Sequence, residues 1–162
     1  NGFDDRFRRA WREDSDLHFR LLVLAGPVGR APLAKVLHPV RPETWGVSLW
    51  QQRNAFFDAL LYKKHPVLYR RMIRPPPPWD FYFIVLMTMA ALVLALLPGP
   101  GPALSALGLA AAVDLRFAQR RLRGADRSWQ HVTEMLVTSV AIPFLSVYWR
   151  LRGAWRFRVW FL

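Results

Sequence analysis

The hydrophobic pattern of this chain changes from periodic to continuous about half-way along its length. Between Asp14 and Ala25, leucines recur at the spacing of one helix face, after a start on acidic residues that suit the positive end of a helix dipole. Gly26-Pro27 ends this predicted helix. From Phe81 to Leu97 nearly every residue is apolar, which predicts a transmembrane helix that Trp79 extends to the thickness of a bilayer core.

Two shorter segments lie between these helices. The segment from Leu33 to His38 is apolar and bounded by prolines, which predicts a short strand. The segment from Ser48 to about His65 predicts a helix with a broad apolar face and a polar back. A helix of this kind can pack on a protein core, but the cations that follow, from Lys63 to Arg74, favour a helix lying on the bilayer interface.

The second half of the chain predicts a helical hairpin and one ambiguous apolar segment. The uncharged break Pro98–Pro102 leads into Ala103–Val113, whose small residues permit close helix packing. Arg116–Arg127 is strongly basic, as is Lys63–Arg74 before the hairpin, which together place both ends of the hairpin in the cytoplasm. Val132–Trp149 is long enough for a third crossing, but it contains a glutamate and ends in arginines. We therefore expect a re-entrant or interfacial segment kinked at Pro143, with the third crossing as the alternative.

The charge balance supports the membrane interpretation. Lys and Arg number 23 against 11 Asp and Glu, which gives a net charge of +12, yet 53% of the residues are hydrophobic. A basic soluble domain suggests nucleic acid, whereas cations beside long apolar runs are typical of a membrane surface with anionic headgroups. The chain has no Cys, which excludes disulfides and thiolate metal sites.

The acidic residues are unevenly distributed. Five of the eleven lie in the first sixteen residues, and three of them form the run Glu13, Asp14 and Asp16. Carboxylates this close repel one another and stay ionised only where water, cations or backbone N–H groups compensate them. The run is therefore either a solvated helix start or a working site.

A resemblance to a known family favours the working site. The run from Gly2 to Phe7, followed by Glu13 to Leu17 and then Arg20, resembles the acceptor-side motif of family 2 glycosyltransferases of the GT-A fold. The later sequence is similar to the C-terminal membrane half of bacterial members. The resemblance implies a mostly α chain, namely the C-terminal remnant of an α/β GT-A catalytic domain followed by an interfacial helix and a transmembrane hairpin. The four parts are 1–47 (catalytic remnant), 48–78 (interfacial helix and proline-rich linker), 79–118 (hairpin) and 119–162 (basic cytoplasmic segment with the ambiguous helix).

The resemblance also implies roles for particular side chains. Asp14 would be the catalytic base, and Glu13 would orient the acceptor. Asp4 would contact a sugar hydroxyl, while Arg53 and His38 are weaker candidates for binding the diphosphate. Each has an ordinary alternative: a charged turn for Asp4, a structural His38 and a solvated helix start for the acidic run.

The last two residues of the motif have structural interpretations. Asp16 would cap the helix. Arg20, four residues further along, would form an ion pair with Asp16.

The implied activity is inverting transfer of a sugar from a nucleotide-sugar donor to a lipid-linked or saccharide acceptor, at the cytoplasmic face of a bacterial inner membrane. Mg²⁺ or Mn²⁺ is expected, with ligands outside this chain, because the Rossmann-like half that carries the family's metal-binding Asp-x-Asp motif is not among these residues. We therefore expect a multi-pass fragment that lacks its donor-binding half. The alternatives are a non-enzymatic membrane-anchoring or assembly subunit and, with only nonspecific affinity expected, a nucleic-acid binder.

Overall fold

Helices contain 69% of the residues described in the computed structural model, and no strand occurs among those residues. The described residues are 2–29, 31–37, 39, 43–74, 76–123 and 128–161. The mostly helical part of the expected fold class is therefore confirmed. The helices within these ranges are α1 (Glu13–Leu24), α2 (Val47–Gln51), a 3₁₀ turn (Gln52–Asn54), α3 (Ala55–Lys64), α4 (Pro66–Met72), α5 (Trp79–Leu94), α6 (Gly101–Leu122) and α7 (Trp129–Phe157).

The strand predicted from Leu33 to His38 is wrong. Residues 33–37 have no regular structure, and Leu33, Val36 and Leu37 are exposed. A strand needs a neighbour to pair its backbone N–H and C=O groups, and the described ranges contain no such neighbour. His38 itself lies outside the described residues. The α/β part of the expected fold class therefore rests on the resemblance alone.

The helix predicted from Ser48 to His65 is present with altered detail. It begins at Val47, because Gly46 adopts a φ of 77° that suits glycine and sets the direction of the chain. The 3₁₀ turn divides it into α2 and α3, and Pro66 starts α4 at a position where proline needs no backbone partner. Its placement on a bilayer stays a prediction.

The main buried core joins α1, α3, α4 and the C-terminus. Phe19 of α1, Leu60 and Leu61 of α3, and Tyr69 of α4 are almost completely buried. The ring of Phe161 lies 5.4 Å from that of Tyr69. Burial raises the pKa of Tyr69 to about 12, so the phenol stays neutral. Since each such side chain contributes roughly 1.5–3 kcal/mol on burial, this core fixes α1 against α3.

Helices α5 and α6 form a hairpin whose open end is charged. The rings of Phe81 and Phe117 lie 4.9 Å apart, and Arg120 donates a 2.9 Å hydrogen bond to Asp80. Gly99, with a φ of 87°, lies in the connecting turn. The outer faces expose large apolar side chains, which favours a lipid environment over water. These side chains include Leu86, Leu92, Leu104, Leu107 and Leu109.

Helix α7 is continuous for 29 residues and contains Pro143 in its interior. It lies very close to α3 at Gly153, where an added Cβ would be 2.6 Å from the carbonyl oxygen of Phe56. Within the described ranges, α6 and α7 are the two helices long and apolar enough to cross a membrane, judged by length and composition, and α5 is a shorter apolar helix. Whether α7 crosses or lies on the interface stays a prediction.

Candidate functional site

The acidic motif lies at the start of α1, and Arg12 fixes that start. Arg12 precedes the helix with a φ of 75°, which a residue other than glycine seldom adopts. Its Nε donates a 2.7 Å hydrogen bond to Asp58 on α3, and the indole of Trp11 donates one of 3.1 Å to the same oxygen. This anchor offsets a backbone cost of about 1–2 kcal/mol. It therefore determines where Glu13 and Asp14 lie.

Asp16 is fully buried at the centre of a cationic network. Its carboxylate oxygens lie 2.5 Å from Lys64 Nζ, 2.9 Å from His65 Nε2 and 3.1 Å from Arg20 Nε. Burial tends to raise the pKa of Asp16, but the hydrogen bonds from Lys64 and His65 outweigh it, so the pKa falls. The predicted pair between Asp16 and Arg20 is confirmed.

The predicted capping role of Asp16 is wrong. The N-cap residue of α1 is Arg12, which makes no side-chain cap, and the carboxylate of Asp16 bonds to Lys64 of α3 and to His65, which follows α3. The physical reason is position: Asp16 lies inside the first turns of α1, on the face that packs on the core. Buried charge there is stable only when cations surround it.

Asp4 is tied to the same network through Lys64. Lys64 Nζ lies 2.6 Å from an oxygen of Asp4, so this ammonium group bridges Asp4 and Asp16. Arg6 also binds Asp4, through Nη2 at 2.6 Å. The hydrogen bond from Arg6, with help from Lys64, holds the pKa of Asp4 well below its usual range. Both oxygens of Asp4 are thus engaged by cations, and its role in acceptor binding stays a prediction.

Asp14 has a different environment, although it is only two residues from Asp16. Its side chain is exposed, and one oxygen accepts a 2.6 Å hydrogen bond from the backbone N–H of Ser15. The Ser15 hydroxyl lies 3.3 Å from the same oxygen. No cation neutralises this carboxylate within the described part of the chain. It is therefore open to a ligand from solvent.

Glu13 has one oxygen that is buried and lacks a partner. Its Oε2 is enclosed, yet no described residue donates a hydrogen bond to it. Buried polar atoms nearly always have a partner, and an orphan acceptor therefore suggests a donor supplied from elsewhere. The start of α1 therefore carries two carboxylates: one oxygen of Glu13 is enclosed, whereas the carboxylate of Asp14 is exposed to solvent.

The two weaker candidates do not join this group in the described residues. Arg53 is exposed and lies over aromatic rings, with its guanidinium carbon 4.4 Å from the ring of Trp50 and 5.8 Å from that of Trp149. It shares no hydrogen bond or ion pair with the acidic motif among residues that the structure describes. His38 lies outside them. Within the described ranges, no group of three or more His, Asp and Glu side chains could hold a metal ion.

Sequence reasoning missed four residues of the site: Arg12, Asp58, Lys64 and His65. Lys64 and His65 resemble part of a membrane-surface charge run in the sequence, because basic residues surround them. Their true partners are 48 to 60 residues away: Asp16 for both and Asp4 for Lys64. A useful signal was the neighbouring pair Lys64-His65 immediately before Pro66, since proline forces the chain to turn and holds both side chains at a helix junction.

Fold and site together define a mostly helical protein with membrane-type apolar helices and an acidic motif anchored on α3. Comparison of the chain with known protein families, curated proteins and solved structures finds no match. The residues themselves therefore carry the functional argument.

Proposed function

We propose that this chain is the acceptor-side and membrane part of an inverting, family 2-like glycosyltransferase. Asp14 acts as the general base. The observation that carries the proposal is the start of α1, where Asp14 is exposed and unneutralised while Oε2 of Glu13 is buried without a partner. The resemblance of the motif from Gly2 to Arg20 supports the same assignment.

The reaction follows from the two carboxylates. An acceptor hydroxyl donates its proton to Asp14 while the hydroxyl oxygen bonds to the anomeric carbon of the donor sugar. The bond from that carbon to the nucleoside diphosphate breaks on the opposite face, so the configuration inverts and the diphosphate leaves with the bonding electrons. Glu13 accepts a hydrogen bond from a second acceptor hydroxyl through its carboxylate and so orients the first.

The surrounding network holds this pair in place. Arg12 bonds to Asp58, and Asp16 bonds to Lys64 and His65, so both sides of the first turn of α1 are attached to α3 and its end. A base must be held within hydrogen-bond reach of its proton, and a rigid helix start meets that need.

The other components of the proposed reaction lie outside this chain. The nucleotide-sugar donor binds a Rossmann-like half that these 162 residues do not contain, together with Mg²⁺ or Mn²⁺. The acceptor is lipid-linked or a saccharide. The proposed location is the cytoplasmic face of a bacterial inner membrane, with α5 and α6 as a membrane hairpin; the apolar α6 and α7 support membrane association.

The test is the substitution Asp14→Asn, made in the polypeptide as the cell produces it, including any sequence that adjoins these 162 residues. Membranes are supplied with radiolabelled nucleotide sugars, and label is followed into lipid and polysaccharide fractions. We expect transfer to fall by roughly 10²–10⁴-fold, because that is the usual contribution of a general base. Glu43→Gln, which removes an exposed carboxylate outside the motif, should transfer normally. Unchanged transfer by a folded Asp14→Asn protein would refute the base assignment.

A non-enzymatic membrane-anchoring or assembly subunit is the second candidate. It is favoured by one observation: Asp4 and Asp16 are fully committed to internal ion pairs, as in a structural brace. The two functions differ in what Asp14 does. If the chain is an anchor, Asp14→Asn leaves the cell's glycan synthesis intact, whereas Asp16→Asn lowers the amount of folded protein in the membrane.

A further inference from the structure

A basic cleft of about 690 Å³ lies between the N-terminal segment, α3 and the C-terminal end of α7. Phe57 and Phe157 contribute aromatic surface to it. Its lining holds a single carboxylate, from Asp5, so positive charge strongly predominates. The cations that line it are Arg6, Arg8, Lys63, Arg156 and Arg158.

Three of these cations have no partner within the described residues. Arg6 is bound to Asp4, and Lys63 Nζ donates a 2.7 Å hydrogen bond to the carbonyl oxygen of Phe157. By contrast, Arg8, Arg156 and Arg158 are exposed, and no described residue pairs with them. Three exposed guanidinium groups line one cleft, and an anion bound there would reduce their mutual repulsion.

The chemistry of the cleft selects a phosphate. Guanidinium is planar and donates two parallel N–H bonds, which match a phosphate group better than any other common anion except a carboxylate. Phosphate carries more charge than a carboxylate, and the cleft has an excess of four cations, five against one. The aromatic rings of Phe57 and Phe157 add apolar surface for the part of the ligand that carries the phosphate.

The surroundings select a lipid as the carrier of that phosphate. Trp155 and Trp160 flank this end of α7 and are 82% and 83% exposed. Tryptophan beside arginine is typical of the headgroup level of a bilayer. Trp155 also lines a second cavity with Arg156 and Arg158, so indole and guanidinium groups share one surface. We infer that this basic cleft binds the phosphate of an anionic membrane lipid.

The inference goes beyond the proposed transfer reaction and does not depend on it. Neither Glu13 nor Asp14 lines the cleft. Lipid binding can therefore be measured in the full chain without a donor, a metal or any turnover, and its failure would leave the test of Asp14 unaffected.

The experiment measures binding of dioctanoyl phosphatidic acid to the full chain in a neutral detergent, by titration calorimetry. The test variant combines Arg8→Gln, Arg156→Gln and Arg158→Asn; Asn is used last because Arg158 adopts a φ of 50°, which Asn tolerates. The matched control replaces three other exposed arginines and loses the same charge. Its substitutions are Arg71→Gln, Arg116→Gln and Arg123→Gln.

We expect the test variant to bind the phosphatidic acid roughly 100-fold more weakly, and the control variant to stay within about threefold of the parent. The parent should bind dioctanoyl phosphatidylcholine and inorganic phosphate far more weakly. An equal loss in both variants would overturn the inference, since general surface charge would then explain binding. Equal affinity for inorganic phosphate would assign the cleft to free phosphate instead. Equal or tighter binding of a single-stranded oligonucleotide, lost in the test variant, would assign it to nucleic acid.

Discussion

Asp14 and Asp16 acquire different chemistry because they point in different directions from one helix. Successive residues turn by about 100°, so these two side chains lie about 200° apart around α1. Asp16 faces Lys64 and His65 at the end of α3, where the hydrogen bonds from these two residues outweigh burial and lower the pKa of Asp16. Asp14 faces outward, with only Ser15 as a hydrogen-bond donor. A structural carboxylate and an available base thus coexist within one turn.

Replacing Asp16 tests the structural half of this pair. Asp16→Asn should lower the free energy of unfolding by roughly 3 kcal/mol, because it leaves the ammonium group of Lys64 and the ring of His65 with a buried neutral partner. The measurement is denaturant unfolding of the detergent-solubilised protein. Asp14→Asn is the matched control and should change that free energy by no more than about 0.5 kcal/mol. Equal effects of the two substitutions would contradict the assignment of Asp16 to the core.

The same network predicts how stability depends on pH. Asp4 and Asp16 have a lower pKa in the folded chain than in the unfolded chain. Their contribution is therefore complete above the unfolded pKa of about 3.9 and is lost as the pH falls below it. We expect the free energy of unfolding to drop below about pH 4 in the parent. The double variant Asp4→Asn with Asp16→Asn should show a shallower drop, and an unchanged slope would show that other groups are responsible.

The sequence reveals local pairs at the residue scale and hides distant ones. Asp16 and Arg20 are four residues apart, so their ion pair follows from helix geometry. The bonds of Arg12 to Asp58 and of His65 to Asp16 join residues 46 and 49 positions apart. No local pattern encodes them, because they depend on how α1 packs on α3. For this reason the capping role predicted for Asp16 was wrong, and its bonds to Lys64 and His65 were not predicted.

At the scale of elements, periodic and continuous apolar segments were predicted well, and the isolated apolar segment was not. α1 begins and ends within one residue of its predicted bounds, because acids at its start and Gly26-Pro27 at its end are local signals. The segment from Leu33 to His38 has strand-like residues, but a strand exists only with a partner.

Helix α7 is continuous although Pro143 lies inside it. In the same helix, the hydroxyls of Thr138 and Ser139 donate hydrogen bonds to backbone carbonyl oxygens one turn earlier.

The contact between α3 and α7 is the element-scale feature most sensitive to substitution. Gly153→Ala places a methyl group 2.6 Å from the backbone carbonyl oxygen of Phe56 and 3.1 Å from Ala59, and neither can move without shifting α3. We expect a net loss of about 1–2 kcal/mol in the free energy of unfolding, since overpacking outweighs the gain in helix propensity.

Gly108→Ala in α6 is the matched control, because an added Cβ there meets nothing within 4 Å. It should leave the protein equally stable or up to about 1 kcal/mol more stable. Both variants are compared by denaturant unfolding in the same detergent. A stable Gly153→Ala protein would show that α3 and α7 separate more easily than their close approach implies.

At the scale of the whole molecule, two interactions of α7 lie at the basic end of the hairpin. Arg121, near the end of α6, donates hydrogen bonds to Thr138 and Ser139 in the middle of α7. Further along α7, the charge of Arg150 acts on Arg74: burial first, and then repulsion from Arg150, lower the pKa of Arg74. Both contacts are on the side of the molecule where α5 begins and α6 ends. This arrangement favours α7 lying across the basic end, on the interface, over a third crossing beside the hairpin.

The absence of native Cys makes this topology measurable with single cysteines and a membrane-impermeant maleimide in intact cells. Leu96→Cys, in the turn between α5 and α6, should be labelled from outside, because the hairpin ends there and the side chain is 86% exposed. Arg123→Cys and Trp160→Cys should be labelled only after the membrane is permeabilised, because the positive-inside rule keeps the arginine-rich ends of α6 and α7 on the cytoplasmic side. Trp160 is 83% exposed, so failure to label it in intact cells reports sidedness and not burial. Labelling of Trp160→Cys from outside together with Leu96→Cys would require α7 to cross the bilayer, and it would contradict the contacts that place the end of α7 beside α3 and the N-terminal segment.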